Sequence, residues 1–161
     1  FPYPPLFRSD ARLARRLEAR SPVPAARLRA LGRLTSGGVR AGLLIAPVIP
    51  GITDDAAGLS ALLAAARAAR AEYAAAGTLR LGPAARRRFL PHIEREFPRL
   101  AERYRRHYAG ADHVSPAYEK AFARRFAALK AQHGFDPAEG MRRSAGAAGE
   151  AAAPSSQHRL L

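Results

Sequence analysis

The sequence contains no cysteine, no tryptophan and a single methionine, Met141, among its 161 residues. Without cysteine, the chain forms no disulfide, binds no zinc through thiolates, has no cysteine nucleophile and cannot hold an iron–sulfur cluster by its own thiols. Long apolar runs are also lacking: no stretch of about eighteen apolar residues occurs, which argues against a membrane span. These absences favour a cytoplasmic location.

Lysine is nearly absent as well, although the chain is strongly basic. The net charge is +14, and Lys120 and Lys130 are the only lysines among the 27 basic residues, so arginine supplies the rest. A basic chain can bind nucleic acid or an acidic surface. The arginines are spread along several predicted helices together with abundant alanine, which favours solvated helix faces over one nucleic-acid patch.

The pattern along the chain predicts four parts. Residues 1–10 are proline-rich and irregular, residues 11–82 form an α/β core, residues 83–135 are helical, and residues 136–161 form a disordered tail. No initiator methionine precedes Phe1. We therefore expect the chain to be part of something longer.

Helix boundaries are predicted from capping residues and from proline. Asp10, Thr53 and Ser115 are suited to helix starts, and Gly134 to a helix stop. A helix from Pro24 should end at Gly37-Gly38, and the helix after Thr53 should run through AAGLSALLAAARAARAEYAA. We expect PAARRRFLPHIEREF to be interrupted at Pro91, because proline lacks the N–H that a helix interior uses. A further helix should follow from Pro98.

Two strands are predicted on either side of the helix that follows Thr53. The first covers residues 39–48, and its continuously apolar centre, Leu43-Leu44-Ile45, indicates burial on both faces. The second is GTLRLG, residues 77–82. A strand, a helix and a strand in this order predict a right-handed crossover and a parallel sheet. Two parallel strands alone leave edges and apolar faces bare, so we expect a piece of a larger sheet or barrel.

The first strand ends in APVIPGITDD, which turns at Pro50-Gly51 into a helix N-terminus. Ligands of parallel α/β folds bind where strands end in this way. Backbone groups of residues 46–49 can hydrogen-bond a flat heterocycle, and Ile49 can pack on its face. An ordinary strand-to-helix turn explains the same residues, and the residues alone favour that turn over a binding site.

Other candidate motifs carry less information. LEARSP, residues 17–22, contains a glutamate and Arg20. The two can form an ion pair, or Arg20 can bind the carboxylate of a ligand. His92 and Glu96 have the four-residue spacing of helical metal ligands, but no second pair accompanies them. Neither a Gly-x-Ser-x-Gly elbow nor a glycine-rich phosphate loop with lysine is present.

The succession LARRLEARSPVPAARLRALGRLTSGGVRAGLLIAPVIPGITDD resembles the later half of the radical S-adenosylmethionine core in the spore photoproduct lyase-like family, often labelled DNA repair photolyase-like. That family shows a Leu-Glu-Pro-Arg-Ala-Pro-like segment and a Val-Ala-Pro-Val/Ile-Ile-Pro-Gly tip. The stretches LRLGPAARRRFLPHIEREFPRLAERYRRHYAG and AYEKAFARRFAALKAQHGF are similar to its C-terminal region. The likeness extends over residues 13–135.

The resemblance implies the C-terminal part of a partial (β/α) barrel followed by a mostly helical region. It also implies a four-iron cluster held by three cysteines and S-adenosylmethionine, which is cleaved to methionine and a 5′-deoxyadenosyl radical. In this family the late strand helps to hold the adenosine. Carried over to this chain, the cofactor-binding residues are Arg20 for the polar end and, for the adenine, Ala46, Pro47, Val48 and Ile49.

The chain departs from the family in three respects. The cysteine loop is absent, FPYPPLFRSD stands in place of the strands expected before Leu13, and Ala19 stands where the family has proline. The expectation is therefore a C-terminal fragment that contributes to the cofactor pocket, needs the missing N-terminal half as its partner and is inactive alone. Two alternatives stay open: an arginine-rich, non-enzymatic helical module that binds nucleic acid through residues 84–106, and a non-functional remnant.

Overall fold

The computed structural model describes Leu17, residues 22–136 and Ala138. The chain is α/β and mostly helical, and the one sheet of these residues has two parallel strands. The expected irregular segment 1–10, the helix after Asp10 apart from the helical Leu17, and nearly all of the expected disordered tail lie outside the described residues. The elements are α1 Pro24–Ser36, β1 Leu43–Val48, α2 Ala56–Ala68, β2 Ala74–Thr78, α3 Pro83–Glu96, α4 Pro98–Tyr108 and α5 Pro116–Gln132.

The predicted β-α-β unit is confirmed. β1 and β2 are parallel and in register from Leu43 opposite Ala74 to Ile45 opposite Ala76, with an irregularity before Val48 meets Thr78. Backbone pairing continues beyond the strands at both ends, since Glu72 N–H donates to Ala41 O at 2.9 Å and Leu79 N–H donates to Val48 O at 3.0 Å.

Two apolar cores meet at the end of β1. The first lies between the sheet, α1, α2 and α5, and it includes Val48, Leu63 and Phe126. The second lies under α3 and α4, and it includes Ile49 and Tyr108. Successive residues of a strand point to opposite sides. The neighbours Val48 and Ile49 are therefore buried in different cores, and the end of β1 joins the two.

Most predicted helix boundaries are confirmed. Ser115 caps α5 by accepting a hydrogen bond from Tyr118 N–H at 3.2 Å, and Pro24 and Pro98 stand in the first turns of α1 and α4. Gly38 and Gly134 follow the ends of α1 and α5 with φ of +80° and +72°. In both cases only glycine reaches this left-handed conformation without steric cost.

The predicted end of α2 and start of β2 are wrong. α2 stops at Ala68 instead of continuing to residue 75, and β2 begins at Ala74 instead of residue 77. The stop is a left-handed turn at Arg70, φ 57°, with Ala71 N–H donating to Ala66 O at 2.9 Å. This pattern normally uses glycine. No local residue signals it here, so the alanine-rich stretch predicted a longer helix.

The predicted interruption of α3 at Pro91 is also wrong, because the helix is continuous from Pro83 to Glu96. Proline removes one hydrogen bond and disfavours a helix interior. Pro91 is exposed, whereas Ile93, two residues later, is fully buried in the second core, with Phe89 and Leu90 packed against that core. Tertiary packing of one face therefore maintains the helix past the proline.

The expected burial of both faces of β1 is not found in the described residues. Leu43 and Ile45 pack against the first core, but the side chain between them, Leu44, is 68% exposed. A continuously apolar strand indicates two covered faces. Here the described elements cover one face only, and the other is an open apolar surface.

β1 starts at Leu43, four residues later than predicted, and directly before it Gly42 brings the backbone against Tyr73. A Cβ atom on Gly42 would lie 2.5 Å from the carbonyl oxygen of Tyr73 and 2.5 Å from its ring. Leu43 N–H donates to the same carbonyl at 2.9 Å. Glycine at this position therefore allows the two segments to approach closely where they pair.

We predict that Gly42→Ala lowers the free energy of unfolding by about 1–3 kcal/mol, the usual cost of overpacking. Thermal and urea unfolding of the complete protein measure the change. The matched control is Gly110→Ala, since a Cβ atom there meets no atom within 4 Å. Equal stability of the two variants would contradict the close approach at Tyr73.

Candidate functional site

The end of β1 continues into a turn that is closed by its own hydrogen bonds. We call Ala46–Asp55 the strand tip. Ile49 N–H donates to Thr53 Oγ1 at 2.8 Å, and Ile49 O accepts from Thr53 N–H at 2.9 Å. Gly51 has φ of +76°, and its N–H donates to Asp54 Oδ1 at 2.7 Å. The polar residues after the apolar run thus satisfy the backbone of the turn.

Thr53 was predicted to cap α2, and this is wrong. The cap is Asp55, whose Oδ1 accepts a hydrogen bond from Gly58 N–H at 2.6 Å. Both residue types are good caps. Thr53 is instead engaged by Ile49, so the choice depends on how the turn folds back on the strand.

Helices α4 and α5 hold the strand tip from outside. Tyr104 O–H donates to Pro50 O at 2.6 Å, and Tyr118 O–H donates to Asp54 Oδ2 at 2.8 Å. Arg125 donates to Asp54 O at 2.8 Å, and its guanidinium lies 3.8 Å from the same carboxylate. Asp54 therefore links the backbone of the turn to α5.

Burial keeps the tyrosines around the tip in their neutral form. It raises the pKa of Tyr104 above the ordinary tyrosine value of about 10, and the nearby Tyr108 and Asp54 add to the rise. The pKa of Tyr118 is raised by burial and by its hydrogen bond to Asp54. Burial also raises the pKa of Tyr108, so three phenols lose protons less readily in the folded state.

A pocket of about 910 Å³ runs along β1 and the strand tip. This volume lies within the range of small-molecule sites. Its wall is mainly apolar, formed by Leu44 and Ile45 of the strand, Leu28 and Leu31 of α1, Leu59 of α2 and Phe89 of α3. Leu44 of the open face and Ile45 of the core face both line the pocket, so this ligand-sized cavity lies along the edge of β1.

The free edge of β1 presents backbone groups to this side. Leu43 N–H bonds to Tyr73 on the β2 side, and strand residues alternate in direction, so the N–H and C=O groups of Leu44 and the N–H of Ala46 point to the opposite edge. No strand of the described part of the chain pairs with that edge. Ala46 can thus offer its N–H as a donor beside the pocket.

Three of the five residues expected to bind the cofactor line this pocket: Ala46, Pro47 and Ile49. The bond between Ala46 and Pro47 is cis. Val48 does not line it, because its side chain is fully buried in the first core. Arg20 lies outside the described residues. The structure therefore brings the tip residues together, and their binding of a cofactor stays a prediction.

Helix α3 contributes pocket residues that the sequence did not indicate. Arg88, Phe89 and His92 line the pocket beside the strand tip. The sequence suggested His92 only as a metal ligand together with Glu96. In the structure Arg95 binds both residues, at 3.1 Å from His92 Nδ1 and 3.0 Å from Glu96 Oε1. The spacing of Arg88 and His92, one helical turn apart, was the one available signal.

In the described part of the chain, no group of three or more metal-binding side chains occurs. The exposed arginines of α3 and α4 are partly neutralised, since Arg105 lies 2.8 Å from Glu94 and 3.0 Å from Glu102. Nucleic-acid binding by residues 84–106 stays a prediction. None of the helices in this part combines the length and the apolar character needed to cross a membrane.

The chain is similar to uncharacterized proteins of Mycobacterium tuberculosis and Mycobacterium bovis. Each is 32% identical over 124 residues, which cover 77% of this chain but 36% of the relative. The chain thus spans about a third of the length of the curated relatives it matches. No protein-family model and no solved structure matches it.

Removing the Asp54 carboxylate should loosen the strand tip. We predict that Asp54→Ala lowers the free energy of unfolding by about 2–3 kcal/mol, because Gly51 N–H and Tyr118 O–H lose a charged acceptor. In a double-mutant cycle with Tyr118→Phe, the two effects should be non-additive by about 1 kcal/mol. Asp55→Asn is the control, since asparagine also caps helices and should change stability by under about 0.5 kcal/mol. Additive effects would show that the Asp54–Tyr118 bond carries no stability.

The raised tyrosine pKa values predict a loss of stability in alkali. The folded pKa values lie above the unfolded value of about 10, so the stabilisation is complete below pH 10 and declines as the pH rises beyond it. The stability of Tyr104→Phe should decline less steeply than that of wild type above about pH 10. At lower pH this variant should be less stable than wild type, because the hydrogen bond to Pro50 is lost. Melting temperatures between about pH 8 and about pH 11.5 test this. Parallel curves for wild type and variant would contradict a raised pKa at Tyr104.

Proposed function

We propose that this chain is the C-terminal part of a radical S-adenosylmethionine enzyme resembling the spore photoproduct lyase-like family. We further propose that its pocket along the strand tip binds the adenosine of the cofactor. The observation that carries the proposal is the shared pocket of Ala46, Pro47 and Ile49. The position of these residues at a strand end and the resemblance to the family both predicted them as ligand-binding residues.

The chemistry of the pocket fits an adenosine. Its apolar wall suits a flat ring, and Ile49 and Phe89 offer side chains to pack on it. The N–H of Ala46 at the unpaired edge can donate to a ring nitrogen of an adenine. The hydrogen bonds from Tyr104 to Pro50 and from Tyr118 to Asp54 hold this edge in place. A rigid wall of this kind lowers the entropic cost of binding.

The residues of this chain do not fit an iron–sulfur cluster. The sequence has no cysteine, and the described residues contain no metal-binding group of three or more side chains. In the proposal, the cluster and its cysteines belong to another part of the complete protein. The mycobacterial relatives support it in one respect, since most of their length lies outside the matched region.

The partial barrel is part of the same proposal. Two parallel strands with an exposed Leu44 and an unpaired strand edge suit the rim of a larger parallel sheet. We propose that a strand from the rest of the protein pairs with this edge as far as Leu44, which leaves the N–H of Ala46 for the adenine. The cytoplasmic location and the substrate class suggested by the photolyase-like label, DNA, belong to the proposal too.

The gene provides the first test. The DNA that precedes the codon of Phe1 should encode a Cys-x-x-x-Cys-x-x-Cys loop followed by strands of the same barrel. Translation of all frames over the preceding few hundred bases is sufficient. If no such loop is encoded in the complete gene or in a partner gene, the arginine-rich binding module or the remnant becomes the better reading.

We predict that Ala46→Trp in the complete gene product weakens binding of S-adenosylmethionine by at least about tenfold, or about 1.4 kcal/mol. The reason is steric, since Ala46 is exposed at the pocket wall and a large ring there occupies the adenine position. Equilibrium dialysis with labelled S-adenosylmethionine measures the affinity. Formation of 5′-deoxyadenosine in the iron-loaded, reduced protein reports activity.

The control is Ala128→Trp, on an exposed position of α5 that does not line the pocket. It should leave the affinity unchanged. Equal affinities in wild type and Ala46→Trp would show that adenosine does not bind at the strand tip. An absence of all binding to the iron-loaded complete protein would reject the radical enzyme itself.

A further inference from the structure

Helix α3 places two hydrogen-bond donors at the pocket. Arg88 and His92 both line it and are four residues apart, which puts their side chains on the same face of the helix. Phe89 lies between them in sequence and also lines the pocket. The apolar wall therefore has one basic patch, which we call the Arg88–His92 pair.

The hydrogen bonds of His92 define what it offers. Arg95 is within 3.1 Å of His92 Nδ1, and a guanidinium can only donate, so Nδ1 accepts and the ring proton is on Nε2. His92 Nε2 is buried and has no hydrogen-bond partner in the described structure. A buried donor without an acceptor costs free energy, and a ligand acceptor recovers it when side-chain movement opens Nε2 to the pocket.

Arg88 adds a charge to the same patch. Its side chain is exposed, and no hydrogen bond or ion pair to it occurs among the described residues. Many arginines nearby are engaged, as Arg95 and Arg105 are with glutamates. Guanidinium groups bind phosphates and carboxylates through two parallel N–H donors.

The remaining polar groups of the pocket offset this charge only in part. Among the described residues, Asp55 is the one acidic residue that lines the pocket, and its carboxylate also accepts the bond from Gly58 that caps α2. Thr53 Oγ1 is bound by Ile49 N–H. A further basic residue, Arg27, lines the pocket from α1. The pocket thus combines an apolar wall with an excess of basic side chains.

We propose that the Arg88–His92 pair is an anion subsite, which binds a phosphate or carboxylate group of a ligand whose apolar or aromatic part packs along the strand tip. The proposal rests on the proposed function for the identity of the aromatic part, an adenosine. The anionic group belongs either to the cofactor, as its carboxylate, or to a nucleotide substrate, as its phosphate.

Four probes separate these sources in the complete protein: adenosine, adenosine 5′-monophosphate, S-adenosylmethionine and inorganic pyrophosphate. Calorimetry gives the dissociation constants for wild type, Arg88→Ala, Arg88→Lys and His92→Ala. The matched control is Arg87→Ala, which removes the exposed neighbouring arginine that does not line the pocket. Arg88 is exposed, so its removal leaves both cores intact.

Wild type should bind adenosine 5′-monophosphate more tightly than adenosine. Arg88→Ala should weaken the binding of adenosine 5′-monophosphate roughly tenfold. His92→Ala should weaken the binding of the same probe by about threefold to tenfold. The affinity of Arg88→Lys for this probe should lie between those of wild type and Arg88→Ala, because lysine keeps the charge without the paired donors. Adenosine itself should be unaffected by these variants. If only S-adenosylmethionine responds to Arg88→Ala, the anion is the cofactor carboxylate, and if only the nucleotide responds, it is a phosphate.

The remaining outcomes distinguish this proposal from the proposed function. If adenosine binds and no anionic probe depends on Arg88, the subsite is overturned while the adenosine pocket stands. If adenosine fails to bind but pyrophosphate binds and is lost in Arg88→Ala, the subsite stands and the adenosine pocket fails. If Arg87→Ala matches Arg88→Ala, the effect is general charge and the subsite is overturned. If no probe binds, both proposals are overturned.

Discussion

The carboxylate of Asp54 is the contact on which the rest of the site depends. It accepts hydrogen bonds from the backbone of Gly51 and from the hydroxyl of Tyr118, and Arg125 lies beside it. One side chain therefore closes the turn after β1 and ties that turn to α5. Because hydrogen bonds to a charged, mostly buried group are stronger than neutral ones at the surface, this contact sets the position of the strand tip.

Two cores are joined at the same place, since Val48 is buried in one and Ile49 in the other. The elements around the tip are accordingly packed from both sides: α1, α2 and α5 around Val48, and α3 and α4 around Ile49. The consequence for function is a rigid wall. A ligand at the tip would meet a surface whose backbone is already ordered, so little conformational entropy is lost on binding.

The described residues leave an apolar opening along the edge of β1. Leu44 is exposed there, the edge of Ala46 is unpaired by any described strand, and α3 adds Arg88 and His92 at the border. An apolar wall, a free backbone edge and a basic patch together suit an aromatic ligand that carries an anionic group. The ligand proposed for this pocket is the adenosine of S-adenosylmethionine or of a nucleotide, with its anionic group at the Arg88–His92 pair.

The sequence by itself determined the features that depend on neighbours along the chain. Ser115 and Gly134 indicated helix ends, the strand-helix-strand order predicted a parallel pair, and the apolar strand end indicated Ala46–Ile49 as a site. Each of these signals depends on residues that are close in sequence: a capping side chain, a glycine conformation or the polarity of a strand. Only the tertiary structure decided the rest. Packing of α3 on the second core keeps the helix continuous past Pro91, and the turn at Arg70 ends α2 without a glycine. The position of α3 beside the strand tip makes Arg88 and His92 pocket residues. These outcomes depend on contacts between segments far apart in sequence, whose free energies no local pattern records.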